Sequence, residues 1–322
     1  AYCILFMRKF EPSLPIDEIL PRVCSALAQS NLVLSSPPGS GKTTRVPLAL
    51  LDETWLAGRK IVMLEPRRPA ARMAAHQMAS LLGQKVADQV GYQVRFDRQI
   101  GPDTRIEVLT EGLLTRRLQG DPELAGVGLV IFDEFHERSL VADLGLALCL
   151  DVCASLREDL RLLVMSATLD EAKVARLIDG RVVSSDGGLH PVTKHFLPAS
   201  RRADTVSSTC RLVREALQQH EGDVLVFLPG IREMRQVMER LEDVPAELML
   251  LHGDIPAAQQ QRVLVPEKDH PRRVILATDI ADTSLTIAGV SVVVDSGLVE
   301  FPTLRPTSRL RSNAIRAWKC CW

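Results

Sequence analysis

No apolar run among these 322 residues approaches the ~20 needed to span a bilayer as a helix, so a helical membrane span is not expected. No two Cys-x-x-Cys units occur among the cysteines at positions 3, 24, 149, 153, 210, 320 and 321, which argues against a zinc centre. No heptad, internal repeat or low-complexity tract is visible. Global basicity is missing as well: with a formal net charge of −1, nucleic-acid binding has to come from local basic clusters. The opening AYCILF is too short for a secretory segment and has no basic stretch ahead of it. It precedes Met7, and residues 1–6 read as lying outside the fold. Unpaired thiols in a chain of this size predict a reducing cytoplasm, and Cys149 and Cys153, four apart in an apolar segment, predict core packing.

What is present is an alternation of short apolar runs with helical segments. NLVLSS (31–36), KIVMLE (60–65), RIEVLT (105–110), GLVIFDE (128–134) and RLLVMSAT (161–168) read as strands. Helices are expected over 69–82, from Glu111, and over 139–157. Nearly all-apolar strands are buried on both faces, which predicts α/β architecture with parallel sheets covered by helices. A stretch rich in turn formers, 184–204, reads as a boundary. The alternation then resumes with DVLVFLPG (223–230), AELMLLHG (246–253), RRVILATD (272–279) and VSVVVDSG (290–297). The expected organisation is an N-terminal extension over 1–13 and a first domain over 14–190. A second, incomplete domain follows over 191–302. The last twenty residues, 303–322, show no periodicity and read as an atypical, non-native tail.

SSPPGSGKTTR (35–45) follows the first strand and opens a helix. It nearly matches G-x-x-x-x-G-K-[ST], with Ser36 at the first glycine position, where a small residue at a strand end suffices. Gly39, Ser40 and Gly41 can turn backbone N–H groups toward phosphate oxygens. Lys42 can reach the β and γ phosphates, Thr43 can ligate Mg²⁺, and Thr44 completes the loop. LVIFDEFHERS (129–139) ends an apolar strand in two acids. Two acids at a helix start can simply offset its dipole. With a phosphate loop ninety residues earlier, Asp133 is assigned to Mg²⁺ and Glu134 to the attacking water.

The phosphate loop, DEFH and then SAT at 166–168 together resemble the DEAH-box RNA helicases of superfamily 2, from about residue 14 to about 300. The resemblance implies two tandem RecA-like P-loop lobes, with ATP and Mg²⁺ as cofactors and single-stranded RNA as partner. It implies a nucleic-acid role for Pro66, Arg67 and Arg68 in LEPRRPAAR, and for Thr110 and Gly112 in TEGLLTRRL. Gly230 in VLVFLPGIREM and Thr278 in ILATDIADTSLTI join that set. Ser166 and Thr168, with Asp282 and Ser284, are implied to couple nucleotide state to lobe closure, and His136 to contact the facing lobe. VGYQVRF (90–96), LHGDIPAAQQQ (251–261) and VVVDSGLVE (292–300) match further family stretches.

The sequence also departs from the family. Phe135 stands at the box's usual alanine, and Asp279 and Asp282 stand where the family has Asn and Glu. No Q-R-x-G-R-x-G-R follows Gly297, although that motif carries the family's γ-phosphate arginines. The resemblance therefore implies a helicase coupling Mg-ATP hydrolysis to movement on or unwinding of RNA, with weak turnover in this chain. Two other readings stand beside it: a superfamily 2 DNA translocase, and an inactive nucleotide- or RNA-binding fragment.

Overall fold

The computed structural model describes residues 10, 13–167, 170–185, 192–198, 204–252, 255, 259, 262–263, 270–278, 287, 289–298 and 314–320. The chain divides into two compact units, Ala1–Gly188 and Leu189–Trp322.

The first unit runs α1 (Leu20–Leu27), β1 (Asn31–Ser35), α2 (Lys42–Leu50), β2 (Lys60–Glu65), α3 (Arg68–Leu81), β3 (Val90–Val94), β4 (Asp97–Gln99) and β5 (Ile106–Thr110). It continues with α4 (Glu111–Gly120), β6 (Val127–Phe132), α5 (Leu140–Ser155), β7 (Arg161–Ser166), α6 (Glu171–Leu177) and β8 (Gly180–Ser184). Its eight strands lie in the order β4-β3-β5-β2-β6-β7-β1-β8, all parallel except β4.

The two-residue period of a strand divides this sheet's side chains between two cores. Leu32, Leu34, Ile61, Met63, Ile131 and Met165 meet apolar residues of α1, α2 and α3 on one face. Val33, Val62, Leu64, Val130, Phe132 and Val164 meet those of α4, α5 and α6 on the other. That is why these strands are apolar at every position rather than at alternate ones. Cys149 is buried in the second core, and half-buried Cys153 packs against it.

The second unit contains β9 (Val192–Pro198), α7 (Thr205–Gln219), β10 (Asp223–Phe227), α8 (Ile231–Arg240), β11 (Glu247–Leu251), β12 (Arg273–Ala277), β13 (Val290–Asp295) and β14 (Ala314–Cys320). Strand order is β11-β12-β10-β13-β14-β9. The first four are parallel, and β14 runs antiparallel to both neighbours. Within this unit a buried ion pair fixes register: Arg273 donates through Nε and Nη2 to Asp223 Oδ2, at 2.8 and 2.6 Å.

Three differences from the sequence reading have physical causes. The sheets are not wholly parallel, because β4 folds back on β3 through a tight turn at Arg95 and Phe96, and β14 inserts antiparallel. β9 lies inside the stretch expected as a boundary, and no apolar run marks β8, because three of its four side chains, Arg181, Val182 and Ser184, are exposed. Part of the expected tail, 314–320, pairs with β13 and, more than a hundred residues away, with β9, which no local periodicity reveals.

Candidate active site

Parallel register brings the C-terminal ends of the central strands of the first unit to one edge, where ligands of open α/β sheets bind. Ser35 lies level with Ser166, Leu64 with Phe132, and Glu65 with Thr110. Two backbone bonds just beyond the strands hold the loops at this edge: Ser36 N donates to Ser166 O at 3.0 Å, and Asp133 N to Leu64 O at 3.1 Å.

The phosphate loop leaves β1 and turns with Gly39 at φ 76° and Gly41 at φ 93°, both in the region that favours glycine. Gly41 is the N-cap of α2, with no side chain capping the helix, so its first amides remain available to an anion. The serine at the first glycine position does fit. Ser36 is buried, and its hydroxyl donates to Ser40 Oγ at 2.7 Å, which ties the two ends of the loop together. The segment before α1 braces the loop from below, with Ile16 N donating to Ser40 O at 3.2 Å.

Strand β6 ends at Phe132, and the two acids follow at once. Thr43 Oγ1 donates to Asp133 Oδ2 at 2.6 Å, and Glu134 N donates to Asp133 Oδ1 at 2.8 Å. Glu134 itself adopts the left-handed conformation, φ 47° and ψ 36°, which costs a non-glycine residue about 1 kcal/mol. That turn aims its carboxylate back across the loop, where it accepts from Lys42 Nζ at 2.9 Å. Both partners of this ion pair are buried. Burial, with Asp133 alongside, pushes the Glu134 carboxyl up to about 7 against the pull of Lys42. Burial alone would lower Lys42, but Asp133 and Glu134 outweigh it and hold the ammonium above its ordinary value.

His136 Nδ1 lies 3.2 Å from Glu134 Oε2. Burial and the Lys42 ammonium hold its imidazole below its ordinary value, favouring the neutral ring. Phe135 does more than link its neighbours. It is buried in the second core and meets Phe132 edge to face, at 6.0 Å between ring centres, anchoring the acidic loop to the sheet.

The fit of a magnesium ion follows from the oxygens present. A threonine hydroxyl and a carboxylate 2.6 Å apart supply two hard donors, and Mg²⁺ typically takes its remaining ligands from phosphates and water. No cluster of three or more His, Cys, Asp or Glu side chains suited to a metal is found among the described residues, in keeping with such a partial site.

One member of this site was passed over in the sequence. Glu65 ends β2 as Asp133 follows β6, and it is almost wholly buried, with Oε1 meeting no hydrogen-bond partner among the described residues. Burial, then Asp133 and Glu134, drives its carboxyl well above the usual range. The available signal was an acid closing an apolar strand next to the PRR triplet.

Within the first unit, the residues expected to meet nucleic acid line the same edge. Arg67 is the N-cap of α3, Thr110 of α4, and none of the side chains at these two positions caps its helix. Pro66 and Arg67 are half-buried, Arg68 is exposed, and a side chain added at Gly112 would meet only Val141, at 4.0 Å. In the second unit Gly230 is the N-cap of α8, likewise without a side-chain cap. Thr278 is buried just after β12, and its hydroxyl has no hydrogen-bond partner among the described residues. Ser166 ends β7 at the phosphate-site edge. Thr168, Asp279, Asp282 and Ser284 lie outside the described residues, as do residues 299–313.

Comparison with known proteins points one way. A family model described as DEAD/DEAH box helicase matches residues 18–177, and one described as helicase conserved C-terminal domain matches 205–312. The chain is 46% identical over 288 residues to the ATP-dependent RNA helicase HrpB of Escherichia coli (strain K12), covering 88% of this chain and 36% of that protein. It is 34% identical to the probable ATP-dependent RNA helicase DHR2 of Saccharomyces cerevisiae, covering 90% of this chain and 42% of the relative. A crystal structure of the Escherichia coli DEAH/RHA helicase HrpB superposes with a TM-score of 0.81 at 45% identity, over 90% of this chain and 37% of that one. The chain thus spans roughly two fifths of the length of these relatives.

Proposed function

Because the chain belongs to the DEAD/DEAH box helicase family, we propose that it couples ATP hydrolysis to movement on, or unwinding of, RNA. The observation that carries this reading is the pairing of Lys42 with Glu134 and of Thr43 with Asp133 at the strand-end edge. A bound magnesium ion would neutralise phosphate charge, and Lys42 would exchange Glu134 for the β and γ phosphates of ATP. Gly39 to Thr44 would cradle the phosphates, and Thr43 and Asp133 would hold the ion. Glu134, released from its ammonium, orients the attacking water and accepts its proton. In the nucleotide-free site burial already raises this carboxyl above its ordinary value, the direction a base needs.

RNA is proposed as a single strand held by its phosphates at Arg67, Arg68 and the opening turns of α3 and α4, with Gly230 and Thr278 contributing from the second unit. Phosphate contacts carry little base information, so sequence preference is low. His136, Ser166, Thr168, Asp282 and Ser284 are proposed to relay nucleotide state. Four cysteines among the described residues are free, which accords with a reducing cytoplasm. No helix among the described residues is long and apolar enough to cross a membrane.

The test is ATP turnover with and without single-stranded RNA or DNA. Stimulation by RNA above that by DNA supports the reading; a preference for DNA favours a DNA translocase instead. Glu134→Gln should keep nucleotide binding and lose hydrolysis, and retained hydrolysis would show that the base is another group.

A further inference from the structure

The acidic loop touches more than the nucleotide site. Its first half, Asp133 and Glu134, engages Thr43 and Lys42. Its second half reaches the two helix starts proposed to meet RNA. Glu137 Oε2 lies 3.4 Å from Arg67 Nη2, at the N-cap of α3. Ser139 Oγ donates to Glu111 Oε2 at 2.5 Å, on the first residue of α4. Ser139 also caps α5 by accepting from Ala142 N at 2.9 Å, so this end of the loop is fixed on three sides. Between the two halves lies a single turn of 3-10 helix, in which Glu137 N donates to Glu134 O at 2.9 Å. A displacement at Glu137 is therefore felt at Glu134 through one hydrogen bond.

The Arg67–Glu137 pair has the character of an exchangeable contact. Its separation exceeds a good hydrogen bond, and both side chains keep some solvent exposure, 30% and 17%. A phosphate offers the same guanidinium two oxygens in its own plane. It would also meet the amides of α3, whose N-terminus no side chain caps.

We propose that Glu137 is a positioning residue that competes with RNA phosphate for Arg67, so that RNA binding is sensed directly by the acidic loop. This inference rests on the RNA reading above. When a phosphate takes Arg67, Glu137 gives up that contact, and one of the three holds on the far end of the turn that places Glu134 against Lys42 is lost. Linkage makes the effect reciprocal: nucleotide that rearranges Glu134 alters how tightly Glu137 holds Arg67.

The experiment measures binding of a fluorescent single-stranded oligouridylate to the full chain by anisotropy, at fixed low salt and without nucleotide. Glu137→Gln should bind RNA about three-fold more tightly, the size that a half-exposed ion pair supports. Glu137→Ser should shift affinity in the same direction. In an Arg67→Ala background the gain should vanish, because the competitor then has nothing to release. A gain that persists in that background is a general effect of removing negative charge and overturns the proposal. So does unchanged or weaker binding by Glu137→Gln, while the parent protein binds RNA normally. Failure of the parent to bind RNA at all overturns the RNA reading and this inference together.

Discussion

Replacing Lys42 by Met in the nucleotide-free, metal-free protein gives a destabilisation whose pH dependence can be worked out beforehand. In the parent, Glu134 titrates at about 7 when folded and about 4.5 when unfolded. A carboxyl raised on folding favours the native state below its unfolded value, and that contribution is lost as pH rises through the folded one. In the parent the loss is complete just above pH 7, because Lys42 makes the ionised form tolerable. Without the ammonium, Glu134 faces Asp133 with no neutralising charge and stays protonated to higher pH, so stability keeps falling. The Glu134-linked part of the destabilisation is then near zero at pH 6, about 1 kcal/mol at pH 8 and about 3 kcal/mol at pH 9, from about 1.4 kcal/mol per pH unit. These values stay below the roughly 3–5 kcal/mol of a stranded buried charge because protonation gives the site an escape. Urea unfolding in EDTA measures this, followed through Trp55, the sole tryptophan ahead of residue 318. Adding Glu134→Gln to Lys42→Met should flatten the pH dependence. A destabilisation equal at pH 6 and pH 9, or a slope that Glu134→Gln leaves unreduced, would refute the assigned pairing.

Other outcomes follow from the packing and charge already described. Gly41→Ala should lower stability by about 2 kcal/mol or more and weaken nucleotide binding. A side chain there meets Leu14 Cδ1 at 2.6 Å while φ stays at +93°, and thermal unfolding with titration of a fluorescent ATP analogue reads both effects. Asp223→Ala should cost about 3–5 kcal/mol by stranding the buried Arg273, whereas a loss under about 1 kcal/mol in urea would mean that the guanidinium finds water or another acceptor. Burial pushes the thiols of Cys24 and Cys149 up to about 12, so both should resist iodoacetamide at pH 8 in the folded protein and react once it is unfolded, as peptide mapping will show.

How much of this was legible in the sequence depended on the range of the interactions involved. The central strands of both units were readable because burial on both faces demands apolar residues at every position, and such runs stand out locally. The phosphate loop was readable because its glycines answer a backbone requirement, met here at Gly39 and Gly41. The edge elements were not. β8 is partly exposed, and β14 is defined by partners more than a hundred residues away on one side.

The amino-acid sequence by itself determined which residues could do the chemistry: a lysine and a threonine after a glycine turn, and two acids after an apolar strand. Only the tertiary structure decided how they meet. Parallel register sets Glu65 beside the Asp133 position, and the left-handed backbone at Glu134 swings a carboxylate onto Lys42. Packing of Phe135 holds the loop down, and its far end reaches Arg67 and Glu111. Those contacts join residues 28 to 92 positions apart, and spacing along a chain carries no information about which strand ends a sheet will place side by side.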